Sequence, residues 1–328
     1  MSHNIETFAF TGETPWHGLG KRVEGLMTAK EAMEAGGLNW EVALQPIFVN
    51  GSLNLDGGYE QVEAKGYKGV VRQSDFATLG VVGGKYVPIQ NAESFEWFDA
   101  VVAGGKARYE TVGAINGGRR VFAAAKLDKE VRVSASKVMG DSILPYIMLT
   151  NTHDGTGVHE ALFTGIRPVC QNTVRMALKG AKHSVKIRHT KSATDKMKQA
   201  IEVAKRAEEY FDAVQETSNL LASTAFSKQQ MVALTEVLFP ASEEVSTRTE
   251  NNRETLLNLF GGGRGTFGET AWDAYNAVTE YVTHERGTRV SEGKSADEQR
   301  FTANYFGSGA NFMDKGLDTI LTMVQKAA

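Results

Sequence analysis

From Ala161 to Thr194 the sequence holds seven Lys or Arg residues and two His, and no acidic residue. The whole chain is net −3 at pH 7, so everything outside those seven positive charges sums to −10. Positive charge concentrated in an otherwise acidic chain builds a surface for anions. A phosphate backbone is the commonest large polyanion that such a surface meets. The spacing adds order to the charge. Read as a helix beginning at Pro168, the segment sets Asn172, Arg175, Lys179 and Lys182 on one face. Cys170, Val174, Ala177 and Ala181 fall on the other. Arg167 precedes this helix, and Lys186, Arg188 and Lys191 follow it. Arg119 and Arg120 come just after Asn116-Gly117-Gly118, which places them at a hairpin tip. The candidate phosphate-binding residues are therefore Arg119, Arg120, Arg167, Arg175, Lys179, Lys182, Lys186 and Arg188. The plain alternative is a solvated charged face with no ligand.

Other residue types could do other chemistry. His153-Asp154 and His159-Glu160 flank one turn, and with Glu110 or Asp141 they could hold a divalent ion for metal-assisted hydrolysis. Their spacing matches no ligand pattern, and polar residues are expected at the Asp154-Gly155 turn in any case. They are expected not to converge, and no metal is assigned. Cys170 lies in the first predicted helical turn near Arg167, which would lower its thiol pKa. It also falls on the apolar face, where free cysteine behaves as a small hydrophobe, and no His is placed by sequence as its base. The Gly261–Thr266 stretch leads towards a helix and could cradle an anion through its amides. It lacks the Gly-Lys-Ser/Thr ending of a P-loop, so a flexible loop is the first reading. Tyr109, Phe122, Tyr146 and Phe163 could offer faces for bases, although strand aromatics usually fill cores. No catalytic residue and no cofactor follow from these patterns.

The elements that must position these residues divide the chain in two. Strand-like runs at Glu41–Val49, Lys68–Val71, Thr78–Val82, Arg108–Ile115, Arg120–Leu127, Val131–Ala135, Tyr146–Asn151 and Gly157–Phe163 are punctuated by turn pairs. Asn116-Gly117, Gly83-Gly84 and Asp154-Gly155 are the strongest of these. Helices are predicted at Ala29–Ala35, Ala92–Ala103 and Pro168–Lys179. The second half repeats a helix-start signal, a hydroxyl residue three positions before an acid or amide. It occurs at Ser192/Asp195, Ser227/Gln230, Thr247/Glu250, Thr266/Glu269 and Ser295/Glu298, with stops at Pro240, Gly261, Gly287 and Gly307. The expected fold class is α+β: a β-meander-rich N-terminal half with a few helices, then an all-helical C-terminal half. The expected domains are 1–191 and 192–328.

At 328 residues, 41% hydrophobic and 23% charged, the composition is that of a globular protein. One cysteine excludes an intramolecular disulfide and fits a reducing cytoplasm. No apolar run reaches the length of a membrane span, and no signal-peptide pattern opens the chain. A cytoplasmic protein with no membrane partner is expected.

Longer motifs carry a resemblance. Thr14-Pro15-Trp16-His17-Gly18-Leu19-Gly20, Tyr86-Val87-Pro88-Ile89-Gln90-Asn91 and Arg167-Pro168-Val169-Cys170-Gln171-Asn172-Thr173 resemble signatures of the DUF932 family. The run Thr270–Val282 and the run Tyr305–Ala310 look like its phage/plasmid-related subgroup. The resemblance implies a gene of phages, plasmids or transferred islands. It implies no activity and supplies no catalytic residue. By topology alone, a meander followed by a basic helix is similar to single-strand annealing proteins of the RecT and Rad-fifty-two types. Binding or annealing of single-stranded DNA in phage or plasmid DNA metabolism is therefore the expected function. A homo-oligomer, ring or filament, is expected with it, because one groove covers few nucleotides. The alternatives are a metal-dependent hydrolase or nuclease using the His153/His159 region, and a host-interaction protein acting through the helical half.

Overall fold

The computed structural model describes residues 5–11, 20–24, 28–55, 57–104, 107–167, 172–174, 176, 183–193, 195, 200–241, 245–287, 303–305 and 307–327. Its strands follow the turn chemistry. Asn116, Gly117 and Gly118 all adopt positive φ, which closes β6 (Ala107–Ile115) onto β7 (Arg120–Leu127). Gly155, at φ +78°, turns β9 (Ser142–Thr152) into β10 (His159–Arg167). Among the described residues nine strands form the larger sheet, ordered β11-β10-β9-β7-β6-β1-β2. Here β1 is Ile5–Phe10, β2 is Lys21–Arg22 and β11 is Asn172–Val174. β8 (Val131–Arg132) pairs with β9, and β12 (Ser184–Ile187) pairs with β10 beside β11. A second sheet holds β3 (Val42–Leu53), β4 (Tyr59–Arg72) and β5 (Thr78–Gly83).

Period-two alternation buries both faces of the large sheet. Val121, Ala123, Ala125, Ile147, Leu149, Ala161 and Phe163 belong to the main core. That core takes in residues of α1 (Ala29–Ala35), α2 (Asn91–Gly104) and the helices of the second half. The intervening residues Phe122, Ala124, Met148 and Leu162 join Phe8, Phe10, Tyr146 and Tyr305 on the opposite face.

Beyond β12 the described elements are helical: α3 (Ala200–Ser223), α4 (Lys228–Leu238), α5 (Thr247–Gly262), α6 (Ala271–Glu280) and α7 (Ser308–Ala327). A π-helical turn, Tyr281–Glu285, extends α6, and one isolated bridge joins Ala225 to Thr270. Strands thus concentrate in the N-terminal part and helices in the C-terminal part. Ala204, Phe211 and Val214 of α3 are buried. Every residue of α6 is buried, and its Trp272 indole donates to Asp141 Oδ2 at 3.0 Å across the two halves.

Several boundaries differ from the sequence expectation. Thr28 and Ser227 cap their helices with the full reciprocal hydrogen bonds. The cap of α5 is Ser246 rather than Thr247, and that of α6 is Thr270 with Asp273 rather than Thr266 with Glu269. The predicted helix Pro168–Lys179 is corrected at its centre, where Asn172–Val174 is strand, antiparallel to Gly165–Arg167. The edge of β10 offers a backbone ladder to this short segment, and Thr and Val are residue types that favour strands. A helical face therefore does not pass through Asn172 and Val174. Pro168, Cys170, Arg175, Ala177, Lys179, Ala181 and Lys182 lie outside the described residues, as does the Ser295/Glu298 pair.

Candidate nucleic-acid interface

Strand register gathers residues that are far apart in sequence. Arg120 pairs with Thr152, so the β6–β7 turn and the β9–β10 turn lie at the same end of the sheet. Glu160 pairs with Lys186 and His159 with Ile187, which brings the end of β12, and Arg188 after it, to that end too. Four candidate cations, Arg119, Arg120, Lys186 and Arg188, therefore surround the turn between Thr152 and His159. Arg167 closes β10 in the backbone, but its side chain lies outside the described set, together with Arg175, Lys179 and Lys182.

Three clefts border this turn. The first, about 460 Å³, is lined by Thr78, Asn116, Arg119 and Asp154 among others. The second, about 400 Å³, lies on the sheet face of Phe122 and carries Arg120, Thr150, Thr152, Glu160, Lys186 and Tyr305. The third, about 580 Å³, has Gly83, Gly84, Gly155 and Gly157 in its walls and Lys85 and Arg188 as its cations. Arg119, Lys85 and Arg188 are exposed. Arg120 is half-buried, and burial lowers its pKa against the opposing pull of Asp154 and Glu160. A guanidinium keeps its charge in such a place. Lys186 stands 3.4 Å from Glu160, an exposed cation beside a mostly buried carboxylate.

The histidines behind the turn are not arranged as metal ligands. His153 and His159 are fully buried against α2. His153 Nε2 lies 3.0 Å from Asn91 Oδ1, and the Asn91 amide donates to the Leu38 and Trp40 carbonyls. That pattern leaves Asn91 Oδ1 as an acceptor and assigns the ring proton to Nε2. His159 Nε2 lies 2.8 Å from Ser94 Oγ. Both Nδ1 atoms are buried without a hydrogen-bond partner. Burial chiefly, with repulsion from His189 next, pushes both rings down to a pKa of about 3. His189 stacks on Tyr86 with ring centroids 4.8 Å apart, and burial lowers its pKa to about 4. Among the described residues no group of three or more His, Cys, Asp or Glu side chains could hold a metal ion.

A family model described as a domain of unknown function, DUF932, matches residues 78–304. The chain belongs to DUF932. No curated protein and no solved structure matches it. The part shared with DUF932 contains the four gathered cations and the three buried histidines, and it stops short of β3, β4 and α7.

The glycine-rich loop is not a free anion cradle. The Arg264 amide donates to Glu280 Oε2 at 3.0 Å, and the Phe267 amide donates to Asp273 Oδ1 at 3.2 Å. The chain's own carboxylates take those amides. Tyr109, Phe122, Tyr146 and Phe163 are buried and fill the core. Sequence reasoning passed over Lys85 and the threonines of the second cleft, and met Tyr86 only as part of a family motif. The Gly83-Gly84 pair just before Lys85 was the one local signal. Thr150 and Thr152 gain their place only through pairing with β7 and β10.

Proposed function

We propose that this protein binds single-stranded nucleic acid at the end of the large sheet, in the DNA metabolism of a phage or plasmid. The observation that carries the reading is the gathering of Arg119, Arg120, Lys186 and Arg188 around the β9–β10 turn. Arginine forks suit phosphate oxygens and lysines act as point charges, so the set can track a backbone without reading sequence. Arg167, Arg175, Lys179 and Lys182 extend the proposed surface on sequence grounds. The motifs at Thr270–Val282 and Tyr305–Ala310 support the phage/plasmid setting. Assembly of several copies belongs to the same reading, since one groove spans only a few nucleotides. The hydrolase alternative has no support in the histidine geometry, because the Nε2 atoms of His153 and His159 face Asn91 and Ser94.

The test is charge reversal. Arg120→Glu combined with Arg188→Glu should fold and should weaken binding to every single-stranded oligonucleotide alike. The slope of log affinity against log salt should fall by roughly 0.7 per lost contact. Unchanged affinity and slope in a folded double variant would refute the reading.

A further inference from the structure

Among the described non-glycine residues only Phe76 and Asn116 hold a positive φ, at 60° and 58°. Asn116 lines the 460 Å³ cleft, and Phe76 is the residue just before Ala77, Thr78 and Leu79 of its wall. Asparagine tolerates this region of backbone space, whereas a bulky phenylalanine there is a true outlier. Its ring is also 73% exposed. The fold therefore holds an unfavourable backbone conformation and gains little burial in return. Strain of this kind persists only where surrounding structure enforces it, and it clusters at functional positions.

The enforcing structure is visible. Arg72, itself buried, donates through Nε and Nη2 to both oxygens of Asp75, at 2.9 and 2.6 Å. Its Nη1 donates to Glu6 at 2.5 Å, and its guanidinium lies over the Trp40 ring, 5.3 Å from the centroid. The Phe76 amide donates to the Arg72 carbonyl at 2.9 Å, and the Ala77 amide to Asp75 Oδ1 at 3.1 Å. The turn is thus clamped on both sides of Phe76, which fixes the backbone that carries the exposed side chain.

We propose that Phe76 is a stacking platform for one unpaired nucleobase, with Arg119 across the adjoining cleft taking a neighbouring phosphate. This rests on the single-strand reading above. The cleft that begins at the next residue, Ala77, favours a nucleotide over an apolar protein side chain, because Thr78, Asn116, Arg119 and Asp154 line it together with the apolar Ala77 and Leu79. Its volume is in the range of small-molecule clefts, roughly 300–1,000 Å³. Asp154 Oδ1 already accepts from the Thr156 amide and hydroxyl, at 2.9 and 2.7 Å. Its carboxylate suits the amino edge of a base and disfavours a phosphate at that point, which leaves Arg119 as the phosphate contact. Stacking is tolerant of sequence because every base has a π-face.

Fluorescence anisotropy with a single-stranded oligonucleotide, intact or carrying abasic positions, tests the proposal. Phe76→Leu keeps the apolar volume and removes the ring. It should weaken binding of the intact strand by roughly five- to a hundredfold and leave the salt slope unchanged. The abasic strand should bind the wild type as weakly as the intact strand binds Phe76→Leu, with little further loss in the variant. Phe76→Trp should retain affinity, and its emission should be quenched on binding. Phe76→Gly, which suits the backbone, should fold at least as stably as the wild type and bind like Phe76→Leu. Wild-type affinity in Phe76→Leu overturns the proposal; if Arg120→Glu with Arg188→Glu still abolishes binding, the single-strand reading survives that failure. A wild type that binds no oligonucleotide overturns both. If Phe76→Leu instead dissociates an assembled species and leaves oligonucleotide affinity intact, the ring serves a protein contact and the proposal is wrong.

Discussion

His153, His159 and His189 are buried imidazoles whose environments favour the neutral form. Desolvation is the main cause for all three, and mutual repulsion adds to it for His153 and His159. Asp154 pulls His153 and His189 the other way, and the Val87 backbone also favours the charged form of His189. In the unfolded chain each ring takes a proton near pH 6.5, whereas in the fold it does so only near pH 3 or 4. The unfolded state therefore binds more protons through this window. The contribution is whole above pH 6.5 and is lost as pH falls. Each ring supplies up to about 1.4 kcal/mol per pH unit, so the three together supply about 4 kcal/mol between pH 6 and 5. Urea midpoints at pH 7, 6 and 5 should fall steeply, and His159→Phe should remove about a third of the slope. A flat profile would show that the rings charge without cost. Little of this was legible in the sequence. His153 and His159 read as polar companions of a turn, because nothing local says that α2 covers them. Their partners Asn91 and Ser94 are some sixty residues away, with separations of 62 and 65.

Elements were more legible where the signal is local. The pairs at Asn116-Gly117 and Asp154-Gly155 encode turns through backbone conformation, and both hairpins are present. The cap at Ser227 is likewise a contact over three residues. Asn172–Val174 misled because the spacing around it suits a helix, while the deciding partner, the edge of β10, is supplied by the fold. The long pairing of β3 with β4 was seen only at its base, since the turn-like pair Asn50-Gly51 falls inside β3 and the segment around it has a mixed polar pattern. One element contact bears directly on the site. A Cβ added at Gly80 in β5 would lie 2.5 Å from Asp154 Cα and 2.6 Å from its carbonyl oxygen. The small sheet can rest on the β9–β10 turn only because that side chain is missing. Gly80→Ala should destabilise by about 1–3 kcal/mol, as overpacking does. It should also move the turn that the cations surround, so oligonucleotide affinity should drop without any change of charge. Denaturation midpoints near the wild type would show that the two sheets shift apart freely.

At the scale of the molecule, charge and apolar surface occupy different places. The cations of the interface come from β7, β12 and the turns beside them, whereas β3 and β4 run on together past the end of β5 as a two-stranded ribbon. Phe48, Leu53 and Tyr59 on that ribbon are 53%, 65% and 54% exposed, and Val49 faces Val62 directly across the ladder. Phe48 pairs with Glu63, one step along from Val49, so both faces of the ribbon carry apolar side chains. A two-stranded ribbon is at best marginally stable alone in water, and the outer edge of β3 leaves a row of backbone groups open to pairing. The occupant that fits the single-strand reading is a second copy of the chain, since continuous cover of a strand requires neighbours in contact. The purified protein should therefore have a native mass of two or more chains. Phe48→Lys with Val62→Lys should lower that mass and leave the helical content unchanged, because neither side chain enters the core. The same variant should bind a short oligonucleotide normally and lose cooperativity on a long one. A wild type that stays one chain in mass, with and without a long single strand, would separate the ribbon from the cations. The interface would then work as an isolated site.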